Sequence, residues 1–94
     1  MDWQLLAERL ARQTGLRSGK VEATPVSGGD INRAWRLELD GQGFFVKLNR
    51  AALLPMFEAE RTGLQAIERS AAIRVPRVYL TGNQEGEAYI VMEY

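Results

Sequence analysis

Phe44-Phe45-Val46-Lys47-Leu48 is an apolar run with a single ammonium group inside it. If the run is a strand, Phe44, Val46 and Leu48 share one face, and Phe45 and Lys47 share the other. A lysine in such a place costs free energy unless something anionic meets it. The reading of the fold turns on where that anion comes from, and the neighbouring sequence supplies a candidate.

The stretch before it alternates. Trp35, Leu37 and Leu39 fall on one face of Arg33 to Leu39, with Arg36 and Glu38 on the other. Asp40-Gly41 between the two runs is a hairpin signal, extended here by Gln42-Gly43. Phe44 to Leu48 is then the return strand. After a connector over 49–52, Pro55 marks a helix start, and the helix runs to Ser70.

That helix carries Leu53, Phe57, Leu64 and Ile67 as an apolar stripe, with steps of four, seven and three. Glu60 fills the gap left by the step of seven. The other face reads Glu58, Arg61, Thr62, Gln65, Glu68 and Arg69, an ordinary solvated set. Glu60 is therefore a carboxylate on the apolar stripe, and such a group is expected to have a charge partner. One reading pairs Lys47 with Glu60. The other has Lys47 reaching to solvent along its own stem and Glu60 sitting at a rim.

Upstream, Asp2 to Gln13 reads as a helix with Asp2 as cap. Trp3, Leu6, Ala7, Leu10 and Ala11 form its stripe, and Gly15 is its stop. Val21 to Val26 is a short strand, and Pro25 places it at a sheet edge or a strand end. Ser27-Gly28-Gly29-Asp30-Ile31-Asn32 is a glycine-containing turn. Such a turn suits a hairpin, and it also lets backbone N–H groups approach phosphates. It matches neither G-x-G-x-x-G nor a Walker A loop. Downstream, Pro76 forces an extended entry to a strand over Val78 to Leu80. Thr81 to Gly86 is a polar turn, and Glu87 to Tyr94 is a closing strand. The order is helix, three strands, helix, two strands. Hairpin connections favour an antiparallel sheet, so the class is α+β. The apolar ending, Tyr89 to Tyr94, reads as a chain cut at a lobe boundary.

Composition excludes several chemistries. The 94 residues fit one domain, and 12 basic against 12 acidic side chains give no net charge. No global field draws the chain to nucleic acid or an acidic membrane. Near-zero charge also gives little protection against self-association, through the sheet or the C-terminal strand. There is no cysteine and no histidine, which removes disulfides, thiolate chemistry, histidine acid–base roles and the usual zinc ligands. Asp2 and Glu8 near the start and the absence of a long apolar run argue against a signal peptide or a membrane helix, and a cytoplasmic protein is expected.

The strings S-G-G-D-I-N, F-F-V-K-L-N, M-F-E-A-E-x-x-G-L, V-P-R-V and Y-I-V-M-E-Y together resemble the fructosamine kinase family, also called ketosamine or protein-ribulosamine 3-kinases. The resemblance covers Trp3 to Tyr94. It implies the N-terminal lobe of a protein-kinase-like fold: a five-stranded antiparallel sheet, an N-terminal helix, and a helix inserted between strands three and four. It implies ATP and Mg²⁺ as cofactors and ketosamine-modified proteins or free ketosamines as substrates, with phosphorylation of the sugar 3-hydroxyl serving repair of glycated proteins. By that resemblance Gly28, Gly29, Asp30, Ile31 and Asn32 cover the ATP phosphates. Lys47 holds the α/β-phosphates and Glu60 orients it. Met92, Glu93 and Tyr94 begin the hinge, where backbone groups read the adenine edge, and Met92 borders the back of the adenine pocket. Two departures stand out. Phe45 takes the place where protein kinases keep a small residue. No residue matches the catalytic base, the Mg²⁺ ligands or the sugar pocket, so none is assigned, and the 94 residues alone are expected to be inactive. Aminoglycoside phosphotransferases and choline kinases share looser versions of these strings, and a non-catalytic α+β interaction module is the alternative of a different class.

Overall fold

The structure is a computed structural model and describes residues 1–26, 32–70 and 72–94. Helix α1 (Trp3–Thr14) leads into strands β1 (Val21–Val26), β2 (Arg33–Leu39) and β3 (Gln42–Arg50). A 3₁₀ turn (Ala51–Leu53), helix α2 (Leu54–Ser70) and strands β4 (Val78–Gln84) and β5 (Glu87–Glu93) follow. The sheet is antiparallel throughout, with strand order β1-β2-β3-β5-β4. The α+β architecture read from the sequence is the one observed.

The caps of α1 follow from its sequence. Asp2 Oδ1 accepts from the N–H of Leu5, and Gly15 closes the helix in the left-handed region. Leu6, Ala7 and Leu10 are fully buried on one side of the sheet with Leu37, Leu39, Phe44, Val46, Leu48, Tyr89 and Val91. The other side is a smaller core of Phe57, Val78, Ala88, Ile90 and Met92, joined by Phe45, Leu54, Met56 and Leu64. The sheet is thus layered between two helices. Full burial of Phe57 contributes about 2 kcal/mol and anchors α2 to β4 and β5.

Several boundaries differ from the sequence reading. The β2–β3 turn is only Asp40-Gly41, with φ of 53° and 78°, so Gln42 and Gly43 already pair with Leu39 and Glu38. Two residues at positive φ make a tight turn that matches strand twist, and no longer loop is needed. Strand β3 also continues to Arg50. The polar stretch Thr81 to Gln84 is strand rather than turn, and the β4–β5 turn is Glu85-Gly86 with φ of 52° and 80°. Polarity misleads here because β4 is an edge strand. A register shift between Val78 and Leu80 lets Tyr79 and Leu80 both pack toward the α1 side. On α2, Leu54 and Met56 pack where Leu53 and Ile67 were expected, and Ile67 is 41% exposed. The helix leaves the sheet beyond Leu64. Strand β5 is hydrogen-bonded on both sides, by β3 and β4. It has no free edge for a partner strand, and the sheet edges are β1, which carries Pro25, and β4.

Glycine 82 is required by contact. A Cβ there would stand 2.6 Å from the Tyr89 hydroxyl, and that ring is held by the core and by Arg9, whose Nη1 donates to the same hydroxyl at 3.2 Å. Gly82→Ala should therefore destabilise the fold by about 1–3 kcal/mol, read by chemical denaturation. Glu87 gives a second test. Burial alone would raise its pKa, but hydrogen bonds from the Met1 α-ammonium and Arg33, with their charges, hold it below the usual carboxylate value. A depressed pKa stabilises the fold above the unfolded value of about 4.3, and the contribution fades as pH falls through the folded one. Glu87→Gln should be less stable than the parent at neutral pH, with the gap closing in acid.

Candidate functional site

Lys47 and Glu60 meet. Lys47 lies mid-β3 on the α2 side of the sheet, between cross-strand partners Ala34 and Ile90. Its Nζ donates to Glu60 Oε1 at 2.9 Å and Oε2 at 2.8 Å. The side chains keep 14% and 31% of their exposure, so the pair is half-buried and open at the carboxylate end. The two charges that looked misplaced in the sequence satisfy each other. An ammonium has three N–H donors, so a lysine engaged by both oxygens of one carboxylate can still meet a further anion.

The strand register brings more to the same place. Val26 pairs with Ala34, and Ala34 pairs with Lys47. Strand β1 therefore ends on the row that holds Lys47, and β2 begins one residue before that row. Gly28, Gly29, Asp30 and Ile31 lie outside the described residues. Asn32 is described: its Oδ1 accepts from Asn49 Nδ2 at 2.8 Å, and Asn49 Oδ1 in turn accepts from the N–H of Arg50. This amide pair ties the start of β2 to the end of β3, two residues beyond Lys47.

At the other end of the face, Met92 is buried directly opposite Phe45. Glu93 is committed to structure. Its N–H donates to the carbonyl of Arg77 at 2.8 Å. Its carboxylate accepts from Arg74 Nη2 at 2.7 Å and from the N–H of Arg77 at 3.3 Å. The Glu93 N–H therefore cannot read a base edge while this clamp holds. Tyr94 is 64% exposed, and its ring lies 6.4 Å from that of Phe45.

The sequence reading missed three features. Arg61 was placed on the solvated face, yet it is half-buried and donates to Thr81 Oγ1 at 3.3 Å. Arg74 and Arg77 were not linked to Glu93; with the basic charges and the acceptor some twenty residues apart, no local spacing signals the clamp. Arg36 was read only as the polar face of β2, and Gly43 only as part of a turn, whereas the two are in contact. Among the described residues no group of acidic side chains is arranged to hold a metal ion, and no helix is long and apolar enough to cross a membrane.

A five-stranded antiparallel sheet, a strand lysine and a carboxylate from the helix between strands three and four define the small lobe of protein-kinase-like phosphotransferases. The fructosamine kinase family model matches residues 2–94, and the chain belongs to that family. A probable ketoamine kinase of Synechocystis sp. is 40% identical over 92 residues, covering 98% of this chain and 31% of the relative. One from Escherichia coli K12 is 36% identical over 93 residues, covering 98% and 32%. The chain therefore spans about a third of the length of the curated relatives it matches. Among solved structures, one from Haemophilus somnus 129PT named for fructosamine-3-kinase superposes with a TM-score of 0.86 at 29% identity, over 95% of this chain and 30% of that one. An aminoglycoside phosphotransferase solved with ADP and hygromycin B superposes with a TM-score of 0.66 at 23% identity, over 99% and 28%. That second likeness concerns the fold.

The ion pair has an asymmetry that can be measured. Glu60→Ala leaves Lys47 buried among Ile90 and Ala34 and should cost about 1–3 kcal/mol. Lys47→Met should cost less, because the more exposed Glu60 can rehydrate. The double variant Lys47→Met/Glu60→Leu should recover most of the loss in urea denaturation.

Proposed function

We propose that this chain is the ATP-binding lobe of a ketoamine kinase. The observation that carries the reading is the Lys47–Glu60 pair, held on the row where the glycine-containing segment joins the sheet. The residues suit an anionic nucleotide. Lys47 takes the α/β-phosphates through its remaining donor, and Glu60 fixes the ammonium so that little reorganisation accompanies binding. Gly28 to Asn32 cover the phosphates with backbone N–H groups. Met92 borders the base, and the hinge starts at Glu93 and Tyr94.

The reaction transfers the terminal phosphoryl group of ATP, with Mg²⁺, to the 3-hydroxyl of a sugar ketosamine on a protein amine or a free ketosamine. Products are ADP and a phosphorylated adduct that is less stable than its parent, which would serve repair of glycated proteins. A cytoplasmic setting fits a use of ATP. We assign no residue of this chain as the catalytic base or a Mg²⁺ ligand. Those roles belong to sequence of the kind the relatives carry in the two-thirds of their length that lies outside the match. The likeness to probable ketoamine kinases, at 36–40% identity, favours this substrate class over an aminoglycoside.

In the full-length protein, Lys47→Met should lower phosphorylation of a ribulosamine or fructosamine substrate by about a hundredfold or more while the fold is kept. Unchanged turnover would remove the role given to Lys47. The 94 residues by themselves should form no phosphorylated product, and metal-dependent turnover by the isolated chain would contradict the division of labour.

A further inference from the structure

Arg36 is held more tightly than a partly exposed arginine needs to be. It lies on the α2 side of β2, directly opposite Phe45. Its Nη1 donates to Glu38 Oε2 at 3.0 Å, and its guanidinium carbon is 5.0 Å from the centre of the Tyr94 ring. The guanidinium lies across the backbone at Gly43: a Cβ there would stand 2.6 Å from Nη2, 3.0 Å from Cζ and 3.1 Å from Nε. Gly43 has no positive φ, so the absence of a side chain serves the close approach rather than a turn. Fixing a side chain with this much rotamer freedom costs entropy, and three separate contacts here work against that cost.

These groups share a sheet face with Lys47. Phe45 is two residues from Lys47 on β3, about 7 Å along the strand. In the other direction the same face of β3 offers Asn49. Toward Phe45 it offers two aromatic rings and a guanidinium plane, and such π surfaces are what a nucleobase stacks on. Among the described residues, a nucleotide with its phosphates at Lys47 therefore meets paired aromatic rings on this face in the direction of Phe45.

We propose that Arg36 is a positioning residue of the base subsite: seated on Gly43 and paired with Glu38, it stacks on Tyr94 and fixes the ring against which the base of the nucleotide packs. The inference rests on the nucleotide reading above and deepens it. Arg36 acts through Tyr94 and leaves the phosphates to Lys47, so the two residues divide the nucleotide between them.

The test is equilibrium binding of ATP and of inorganic tripolyphosphate to the full-length protein, with thermal unfolding as a control on the fold. Arg36→Ala should weaken ATP about tenfold and leave tripolyphosphate unchanged. Gly43→Ala, which keeps the arginine but displaces its guanidinium, should do the same. Arg36→Lys, which keeps a cation over the ring, should retain most of the ATP affinity. ATP binding that neither Arg36→Ala nor Gly43→Ala alters overturns the inference, as does equal weakening of both ligands. Failure of the unaltered protein to bind ATP overturns the nucleotide reading itself, and that outcome is distinct from the other two.

Discussion

Everything that makes this sheet a site follows from one half-buried ion pair. Lys47 sits in a strand whose neighbours are apolar, and its charge is tolerable there because Glu60 offers both carboxylate oxygens within 2.9 Å. A buried pair of this kind is weak as a source of stability, since desolvation offsets much of the attraction. The proposed function gives this pair a use beyond folding. The carboxylate end is the more open one, so the pair faces outward from the sheet.

The remaining architecture places that pair. The α1 side of the sheet holds the larger core, and its own charge cluster, Glu87 with the Met1 α-ammonium and Arg33, lies at the start of β5. On the α2 side the helix packs mainly on β4 and β5, where Phe57 docks. The β1, β2 and β3 portion of that face carries Ala34, Arg36, Phe45 and Lys47, and α2 reaches it through Glu60. A single helix therefore does two things: its first turns complete a core, and its middle delivers a carboxylate to the strand beside it.

Much of this was legible in the sequence because it is local or periodic. Alternation in Arg33 to Leu39, the Asp40-Gly41 turn, the cap at Asp2 and the gap in the α2 stripe each follow from geometry over a few residues. Glu60 was legible for the same reason, as an acidic residue at an apolar phase. What escaped depends on tertiary placement. Thr81 to Gln84 is polar yet forms an edge strand, because an edge tolerates polar side chains and Gly82 makes room for Tyr89. Ile67 has helical phase but lies beyond the end of the sheet. The Glu93 clamp and the Arg36–Gly43–Tyr94 contacts join residues whose proximity only the strand order creates. The family resemblance supplied the role proposed for Lys47 but gave no hint that the Glu93 N–H is occupied.

The Lys47–Glu60 pair is proposed here as the phosphate-holding element of a nucleotide site. A crystal structure of the full-length protein with a non-hydrolysable ATP analogue tests it most directly. A phosphate oxygen is expected within hydrogen-bond distance of Lys47 Nζ, with Glu60 still bonded to the same nitrogen. An analogue bound elsewhere, or bound here with its phosphates away from Lys47, would contradict it.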